Sequence, residues 1–273
     1  RYILIGGRLP YVMTDAVFDL LFADRVQVAR RSQPSVIAQT DIGLDIDSGR
    51  KQQILTGANL IHMNLRLVDG EYILLTHGLM DQKWTMLQLV PWLHEAGYNV
   101  MMFDFRGHGE SDKEPTTIGR LEARDVQAAL DWLEAEGVGD RVGGLGMSLG
   151  AAALVNTAAQ DPRLDALVLD SLFASWADTD FARDYRLPPE WLVPGVPSPV
   201  ELLPGVHLPV FIIHGTADIL TQEAHAYRLY EVANEPRDVW INDSGHAWSA
   251  WTYPELYRDK VLAFFGEHLA APR

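Results

Sequence analysis

Cysteine is absent from the 273-residue sequence. This absence excludes a disulfide framework, a thiolate zinc site and a cysteine nucleophile. Long apolar runs are also missing, since no stretch reaches the roughly 18 to 20 residues that a membrane-spanning helix needs. The sequence therefore predicts the cytoplasm as the default location. A removed leader or membrane anchor stays open, because the chain begins at Arg1 rather than at a methionine.

Positive charge is scarce: 22 lysines and arginines stand against 37 acidic residues, which gives a formal net charge of -15. An acidic surface repels nucleic acids and anionic membranes, so we expect neither as a partner. The sequence contains no HExxH motif and no closely spaced set of metal ligands. We therefore expect a small molecule as the partner, and no metal or cofactor.

The sequence does contain an alternation of strand-like and helix-like segments. The segments YNVMMFDFRG, RVGGLGMS, LDALVLDS and LPVFIIHG are short and largely apolar, as in the buried strands of a parallel sheet. Amphipathic stretches separate them, and the longest, TTIGRLEARDVQAALDWLEAEG, predicts a helix. Alternating strands and helices predict an α/β fold with a mostly parallel central sheet and helices on both faces.

The predicted catalytic domain covers residues 51–273, and residues 1–50 form a less regular segment that we expect to pack on it. Early in this domain NLIHMNLRLV and EYILLTHG flank the Asp69-Gly70 turn, which predicts a β-hairpin. Residues 172–208 are rich in proline and aromatic residues without a clear period. This short insertion predicts a lid or pocket wall rather than a large cap domain.

Three residue types that serve together in nucleophilic catalysis stand at predicted strand ends. Ser148 follows the strand VGGLGM, Asp218 comes shortly after LPVFIIHG, and His246 follows the last strand. A serine hydroxyl needs a base to take its proton, and that base is usually a histidine held by a carboxylate. Gly146 and Gly150 fit the same role, because a sharp turn from strand to helix leaves little space for side chains. We therefore predict a catalytic triad of serine, aspartate and histidine.

Backbone N–H groups near the serine are the candidates for stabilising an oxyanion. The N–H of Leu149 lies at the start of the predicted helix after the serine, and the N–H of Leu79 follows a neighbouring strand. We expect His77 to hold the loop that carries Leu79 rather than to act as the base. Asp170 also ends a strand and is the alternative acid. The spacing in HGTAD favours Asp218 and leaves Asp170 to cap or orient the adjacent loop.

Two further groups of residues have a structural interpretation beside a functional one. The DFRGHG stretch carries Asp104, Arg106 and His108, which resemble a catalytic cluster but are better explained as a tight loop with paired charges. Three tryptophans are candidates for the wall of a substrate pocket: Trp84, Trp176 and Trp248.

The motifs taken together resemble a known superfamily. HGLMDQKW, DFRGHGESD, GMSLGA, HGTAD and SGH occur in the order that is typical of α/β-hydrolases. The pattern covers residues 60–270 and is similar to the serine esterase and lipase branch, near the prolyl-oligopeptidase-like and bile-acid-acyltransferase-like hydrolases. The resemblance implies a carboxylesterase (EC 3.1.1 class) that cleaves esters of short to medium acyl chains through an acyl-enzyme on Ser148.

Two alternatives stay open. A serine peptidase, amide hydrolase or thioesterase uses the same triad, although the peptidases of that branch usually carry a large extra domain for which this chain has no room. A non-catalytic hydrolase-like binding protein is the second alternative. Such proteins usually lose a member of the triad, whereas all three residues are present here.

Overall fold

The computed structural model describes residues 70–179, Ala182 and residues 197–269, together with the backbone of three short strands nearer the N-terminus. Those strands are β1 (Tyr2–Leu4), β2 (Val26–Ala29) and β3 (Ile37–Thr40). The first strand-like run of the predicted hairpin and the greater part of the N-terminal segment lie outside the described residues, so both stay predictions.

Six further strands and seven α-helices follow in the described part of the chain. The strands are β4 (Tyr72–Thr76), β5 (Asn99–Met102), β6 (Val142–Met147), β7 (Ala166–Asp170), β8 (Val210–Gly215) and β9 (Arg237–Asn242). The helices are α1 (Val90–Glu95), α2 (Glu122–Ala135), α3 (Leu149–Ala158), α4 (Pro199–Leu202), α5 (Ala224–Val232), α6 (Ser249–Thr252) and α7 (Pro254–His268).

Seven strands form one sheet in the order β1-β5-β4-β6-β7-β8-β9, and every neighbouring pair is parallel. β2 and β3 pair separately and antiparallel. The central strand β6 is in register with β4 on one side and β7 on the other, so that Gly146 lies opposite Thr76 and Met147 opposite Asp170. The predicted α/β fold with a parallel sheet is confirmed.

Alternation along the strands divides the core into two layers. Leu74 and Leu167 point into one layer with α2, α3 and α5, whereas Leu75 and Val168 point into the other with α1 and α7. Successive side chains of a strand lie on opposite faces, so strands that are apolar throughout need helices on both sides. The predicted layers of helices on both faces are therefore present. Among the described residues, no helix is both long and apolar enough to cross a lipid bilayer.

The helix predicted over TTIGRLEARDVQAALDWLEAEG begins later than expected. The stretch TTIGRL is a series of turns, and α2 begins only at Glu122. The Glu122 carboxylate accepts hydrogen bonds from Thr116, Thr117 and Gly119 at 2.8 to 2.9 Å, which holds the preceding residues in turns. The segment Lys83–Leu89 is a 3-10 helix, and α-helical geometry starts only beside a proline at the beginning of α1.

Candidate active site

Ser148 occupies a strained turn between the central strand β6 and helix α3. Its backbone has φ 52° and ψ -109°, a conformation that residues with a side chain rarely adopt. The backbone on both sides holds this turn. The N–H of Ser148 donates to the carbonyl of Asp170 at 2.8 Å, and its carbonyl accepts the N–H of Ala152 at 3.0 Å. The side chain is thereby presented at the carboxyl edge of the sheet, where the sequence predicted it.

The turn requires glycine at Gly146 and Gly150, because neighbouring backbone atoms leave no space for a Cβ atom at either position. A Cβ atom on Gly150 would lie 2.2 Å from the carbonyl oxygen of Thr76, and one on Gly146 would lie 2.5 Å from the N atom of Ala151. Both obstacles are backbone atoms, which cannot move aside as a flexible side chain can. The predicted steric role of the two glycines is confirmed.

His246 lies between the serine and a carboxylate. Its Nε2 atom is 2.9 Å from Oγ of Ser148, and its Nδ1 atom is 2.7 Å from Oδ2 of Asp218. The neutral imidazole has one donor and one acceptor nitrogen. The carboxylate accepts the Nδ1 proton, which leaves Nε2 with a lone pair for the serine hydroxyl. The structure thus brings Ser148, His246 and Asp218 into one chain of hydrogen bonds.

The loop after β8 holds the Asp218 carboxylate from the opposite side. Oδ1 accepts the N–H groups of Leu220 at 2.9 Å and Thr221 at 2.8 Å, and Oδ2 accepts the Thr221 hydroxyl at 2.7 Å. Burial by itself would raise the pKa of this carboxyl, but the hydrogen bond and charge of His246 and the Thr221 donors together lower it. Asp218 is therefore ionised at neutral pH.

Sequence reasoning missed the part played by Thr221. Its hydroxyl lies 2.7 Å from Asp218 and 3.1 Å from Nδ1 of His246, and its carbonyl oxygen is 2.8 Å from Nε2 of the buried His214. Burial lowers the pKa of His214, so this ring is neutral and donates to the carbonyl. A threonine three residues after an aspartate is a weak signal, because such a pair also forms ordinary turns.

The two predicted oxyanion donors flank the serine. Leu149 is the first residue of α3, whose opening N–H groups have no acceptor within the helix. Leu79 lies in the loop after β4 and lines the same pocket as Ser148. His77 holds that loop as expected, because its Nδ1 contacts the Gly78 carbonyl at 2.8 Å and its Nε2 accepts the N–H of Phe105 at 3.1 Å. Burial lowers the pKa of His77 to about 4, so the ring stays neutral.

A cavity of about 370 Å³ opens above the serine. The residues in its wall are mostly apolar or aromatic: Leu79, Met80, Met147, Trp176, Leu220, Ala247, Trp248 and Trp251, with Asp81, Thr85, Thr179 and Thr221 as the polar exceptions beside the catalytic candidates. Met80 and Trp248 are 78% and 63% exposed, so the mouth of the cavity presents apolar surface to solvent. The sequence had indicated neither Met80 nor Trp251.

The three predicted pocket tryptophans have different positions. Trp176 and Trp248 line the cavity, but Trp84 does not. Trp84 is buried in the layer that contains α1 and α7, and the Lys83 ammonium lies 5.1 Å from its ring centre. The expectation for Trp84 is therefore wrong, because the 3-10 helix that carries it turns this side chain into the core.

The DFRGHG loop has paired charges, as the structural interpretation predicted. The buried Asp104 forms an ion pair with the fully buried Lys83, and Arg106 contacts Asp125 at 2.6 Å. The Nδ1 atom of His108 is 2.8 Å from the carbonyl of Arg106. No group of three or more metal-ligating side chains occurs in the described ranges.

Comparison with known proteins supports the fold described above. A family model described as serine aminopeptidase, S33 (Hydrolase_4), matches residues 70–193. The uncharacterised protein Rv2307c of Mycobacterium tuberculosis is 33% identical over 196 residues, which cover 71% of this chain and 67% of that protein. YfhR of Salmonella typhi is 32% identical over 218 residues, which cover 71% of this chain and 70% of YfhR.

Solved structures are similar as well. The Pyrococcus furiosus esterase Pf2001 matches with a TM-score of 0.63 and 26% identity, over 74% of this chain and 85% of that one. The monoacylglycerol lipase of Paleococcus ferrophilus matches with a TM-score of 0.58 at 19% identity, which shows a shared fold. The chain belongs to the α/β-hydrolase superfamily, as its motifs suggested. Within that superfamily it is a serine hydrolase of α/β fold.

Proposed function

We propose that the protein hydrolyses carboxylic esters through an acyl-enzyme formed on Ser148. The observation that carries this proposal is the unbroken hydrogen-bond chain from Ser148 Oγ through His246 to Asp218, at the base of an apolar cavity. A serine held in this way is an activated nucleophile. Its strained backbone also fits a nucleophile, since strain of this kind concentrates at functional sites.

The first half of the reaction acylates the enzyme. Oγ of Ser148 attacks the ester carbonyl carbon while Nε2 of His246 takes the hydroxyl proton, and the carbonyl π electrons move onto oxygen. The N–H groups of Leu149 and Leu79 donate to that oxyanion, and Asp218 stabilises the imidazolium. The bond to the alcohol oxygen then breaks, and His246 returns its proton to the leaving alkoxide.

The second half regenerates the serine. Water attacks the acyl carbon and loses its proton to His246, which forms a second tetrahedral oxyanion in the same position. This intermediate collapses with cleavage of the bond to Ser148, and His246 protonates the departing serine oxygen. The carboxylic acid leaves, so the net reaction consumes one water and needs no cofactor.

The shape and chemistry of the cavity favour a neutral, apolar substrate. Its volume of about 370 Å³ lies at the small end of ordinary ligand pockets, which supports short to medium acyl chains. Trp176 and Trp248 lie in the wall of the cavity and offer flat apolar surfaces to such a substrate. The similarity to an esterase of Pyrococcus furiosus, at 26% identity, is a second line of support for ester chemistry.

Amide hydrolysis is the second candidate, and two observations favour it. The matching family model is described as serine aminopeptidase. An aminopeptidase needs an acidic group to bind the substrate's free ammonium, and Asp81 lies in the wall of the cavity. Each oxygen of Asp81 accepts one hydrogen bond, from the Gln82 N–H at 2.8 Å and the Thr85 hydroxyl at 2.9 Å, and keeps lone pairs for an ammonium. Esters remain the first choice because the rest of the cavity wall is mostly apolar.

Matched chromogenic substrates separate the two candidates. We expect nitrophenyl esters of two to eight carbons to be cleaved much faster than aminoacyl nitroanilides. Ser148→Ala should abolish the ester activity, whereas Ser198→Ala, which changes the half-buried N-cap serine of helix α4 outside the cavity, should keep it. Faster cleavage of the anilides would show that amides, not esters, are the preferred substrates. Full activity of Ser148→Ala would disprove the acyl-enzyme on this serine.

A further inference from the structure

Two buried residues that the reaction leaves unused lie next to the catalytic histidine. Asp170 ends strand β7 and Ser171 follows it directly, and both are fully buried. The Ser171 hydroxyl oxygen accepts the backbone N–H of Ala247 at 2.8 Å and donates its own proton to Oδ1 of Asp170 at 3.0 Å. Because Ala247 follows His246 directly, these contacts fix the chain one residue after the imidazole.

The backbone at this contact is strained on both sides. Ser171 and Ala247 each have φ 55°, in the left-handed region that residues with a side chain avoid. Such conformations cost on the order of 1 to 3 kcal/mol and persist only where surrounding contacts hold them. The Ser171 hydroxyl is one such contact, and the bond from its N–H to the Ile213 carbonyl at 2.8 Å is another.

The other side of the histidine loop is held independently. The Asn242 side chain accepts the N–H of Ser244 at 2.9 Å and donates to the Ser249 hydroxyl at 3.0 Å. The hydroxyls of Ser244 and Ser249 are 3.0 Å apart. These contacts involve residues before His246 and the first residue of helix α6, and none of them reaches Ala247. The contact that holds the residue directly after His246 is the one from Ser171.

Asp170 is an expensive residue for a purely structural role. Among the described residues, neither its Oδ2 atom nor the Tyr257 hydroxyl has a hydrogen-bond partner of ordinary geometry. The two groups nevertheless interact with each other. Burial raises the pKa of Asp170 to about 7. The ionisable groups that face it are Tyr257 from α7, His246 from the loop after β9 and Asp218 from the loop after β8. A neutral asparagine would be cheaper to bury here.

We propose that Ser171 and Asp170 are positioning residues for His246, holding its imidazole between Ser148 and Asp218 through the N–H of Ala247. The inference rests on the proposed function, because it assigns His246 the role of base. It goes beyond that function by giving the buried carboxylate at the end of β7 a part in the reaction through the loop, without contact to substrate. An error of about 1 Å in the position of a catalytic group can lower a rate about 100-fold.

Ser171→Ala tests the hydroxyl. This change removes the acceptor of the Ala247 N–H, so we expect kcat to fall about 10- to 100-fold while KM changes by about twofold or less. The matched control is Thr157→Val, which removes a fully buried hydroxyl that donates to the Ala153 carbonyl at 2.8 Å within α3. Its kcat should stay near that of the original protein. Equal kcat for Ser171→Ala and the unchanged protein would overturn the proposal.

Asp170→Asn tests the charge, because asparagine keeps an oxygen that accepts the Ser171 hydroxyl proton. At pH 8, where Asp170 is mostly ionised, we expect kcat to fall roughly three- to tenfold, because the neutral amide no longer stabilises the imidazolium through its charge. The native pKa of Asp170 lies above its unfolded value, so the unchanged protein loses stability as the pH rises from about 4 to about 7. The variant should therefore melt at a higher temperature at pH 8, with the gain shrinking towards pH 4.

A readout that does not depend on turnover keeps this inference separate from the proposed function. The proton on Nδ1 of His246, hydrogen-bonded to Asp218, should give a low-field proton resonance in the NMR spectrum. We expect Ser171→Ala to broaden or shift it, and Thr157→Val to leave it unchanged. An unchanged resonance in Ser171→Ala would refute the positioning role even if the protein proves to cleave no ester. Loss of activity in Ser148→Ala alone bears only on the proposed function.

Discussion

Nδ1 of His246 lies 2.7 Å from Oδ2 of Asp218, and that same carboxylate oxygen accepts the Thr221 hydroxyl at 2.7 Å. The imidazole therefore contacts a carboxylate whose position the next loop has already fixed. The other carboxylate near the loop, Asp170, bonds to Ser171 and not to the ring. This arrangement supports Asp218 as the acid of the proposed triad and gives Asp170 a different task.

Asp218→Asn should lower kcat on a nitrophenyl ester by about 10³- to 10⁴-fold, because an amide can favour the wrong tautomer of His246 and cannot stabilise its cation. Initial rates at saturating ester measure the effect. Asp170→Asn is the matched control, since it makes the same chemical change at the neighbouring carboxylate. Equal losses in the two variants would contradict the assignment of the acid.

Gly150→Ala should destabilise the protein by about 1 to 3 kcal/mol and reduce the proposed ester turnover, since its Cβ would lie 2.2 Å from the Thr76 carbonyl oxygen, in the turn that carries Ser148. Urea unfolding followed by circular dichroism measures the stability. Gly266→Ala is the control, because its Cβ meets nothing within 4 Å and it lies in helix α7, where alanine stabilises by about 0.5 to 1 kcal/mol. If both variants gained stability, the steric account of the turn would be wrong.

Lys83→Met should cost about 3 to 5 kcal/mol in the free energy of unfolding, because it leaves the buried carboxylate of Asp104 without its cation. The comparison is Arg258→Met, which breaks an exposed pair with Asp259 and should change stability by about 0.5 kcal/mol or less. Urea titrations of both variants measure the difference. A loss in Lys83→Met no greater than that in Arg258→Met would show that the buried pair contributes nothing.

The His77 ring should make the protein less stable in acid. Its native pKa of about 4 lies below its unfolded value, so the unfolded chain binds the proton more strongly and stability falls as the pH drops from about 6.5 to about 4. The loss attributable to His77 is on the order of 3 kcal/mol. In His77→Gln, which cannot titrate, unfolding free energies measured across this range should fall less steeply. Parallel curves for the two proteins would show that His77 is not responsible.

The sequence predicted the features that depend on local signals. Continuous apolar runs indicated the parallel strands, and the glycines around Ser148 indicated the sharp turn. The order of serine, aspartate and histidine at strand ends indicated which residues would meet, because the carboxyl ends of parallel strands share one edge. The structure brings those three side chains together at 2.7 to 2.9 Å.

Features that depend on distant contacts could not be predicted in the same way. Ser171 and Ala247 are 76 residues apart, and nothing in either local sequence indicates the bond between them. The true start of α2 depends on the carboxylate of Glu122, whose side chain folds back over the preceding turns. Trp84 was misplaced because an aromatic residue after an oxyanion loop fits a pocket and a core equally well until the turn of the 3-10 helix is known.

Covalent labelling of the serine tests the central claim most directly. The protein is treated with a fluorophosphonate, digested and examined by mass spectrometry. The proposed mechanism predicts one adduct on the peptide that contains Ser148, no adduct in Ser148→Ala, and labelling of His246→Ala slowed by several orders of magnitude. Active protein that hydrolyses esters yet carries no adduct on Ser148, or carries it on another serine, would contradict the account.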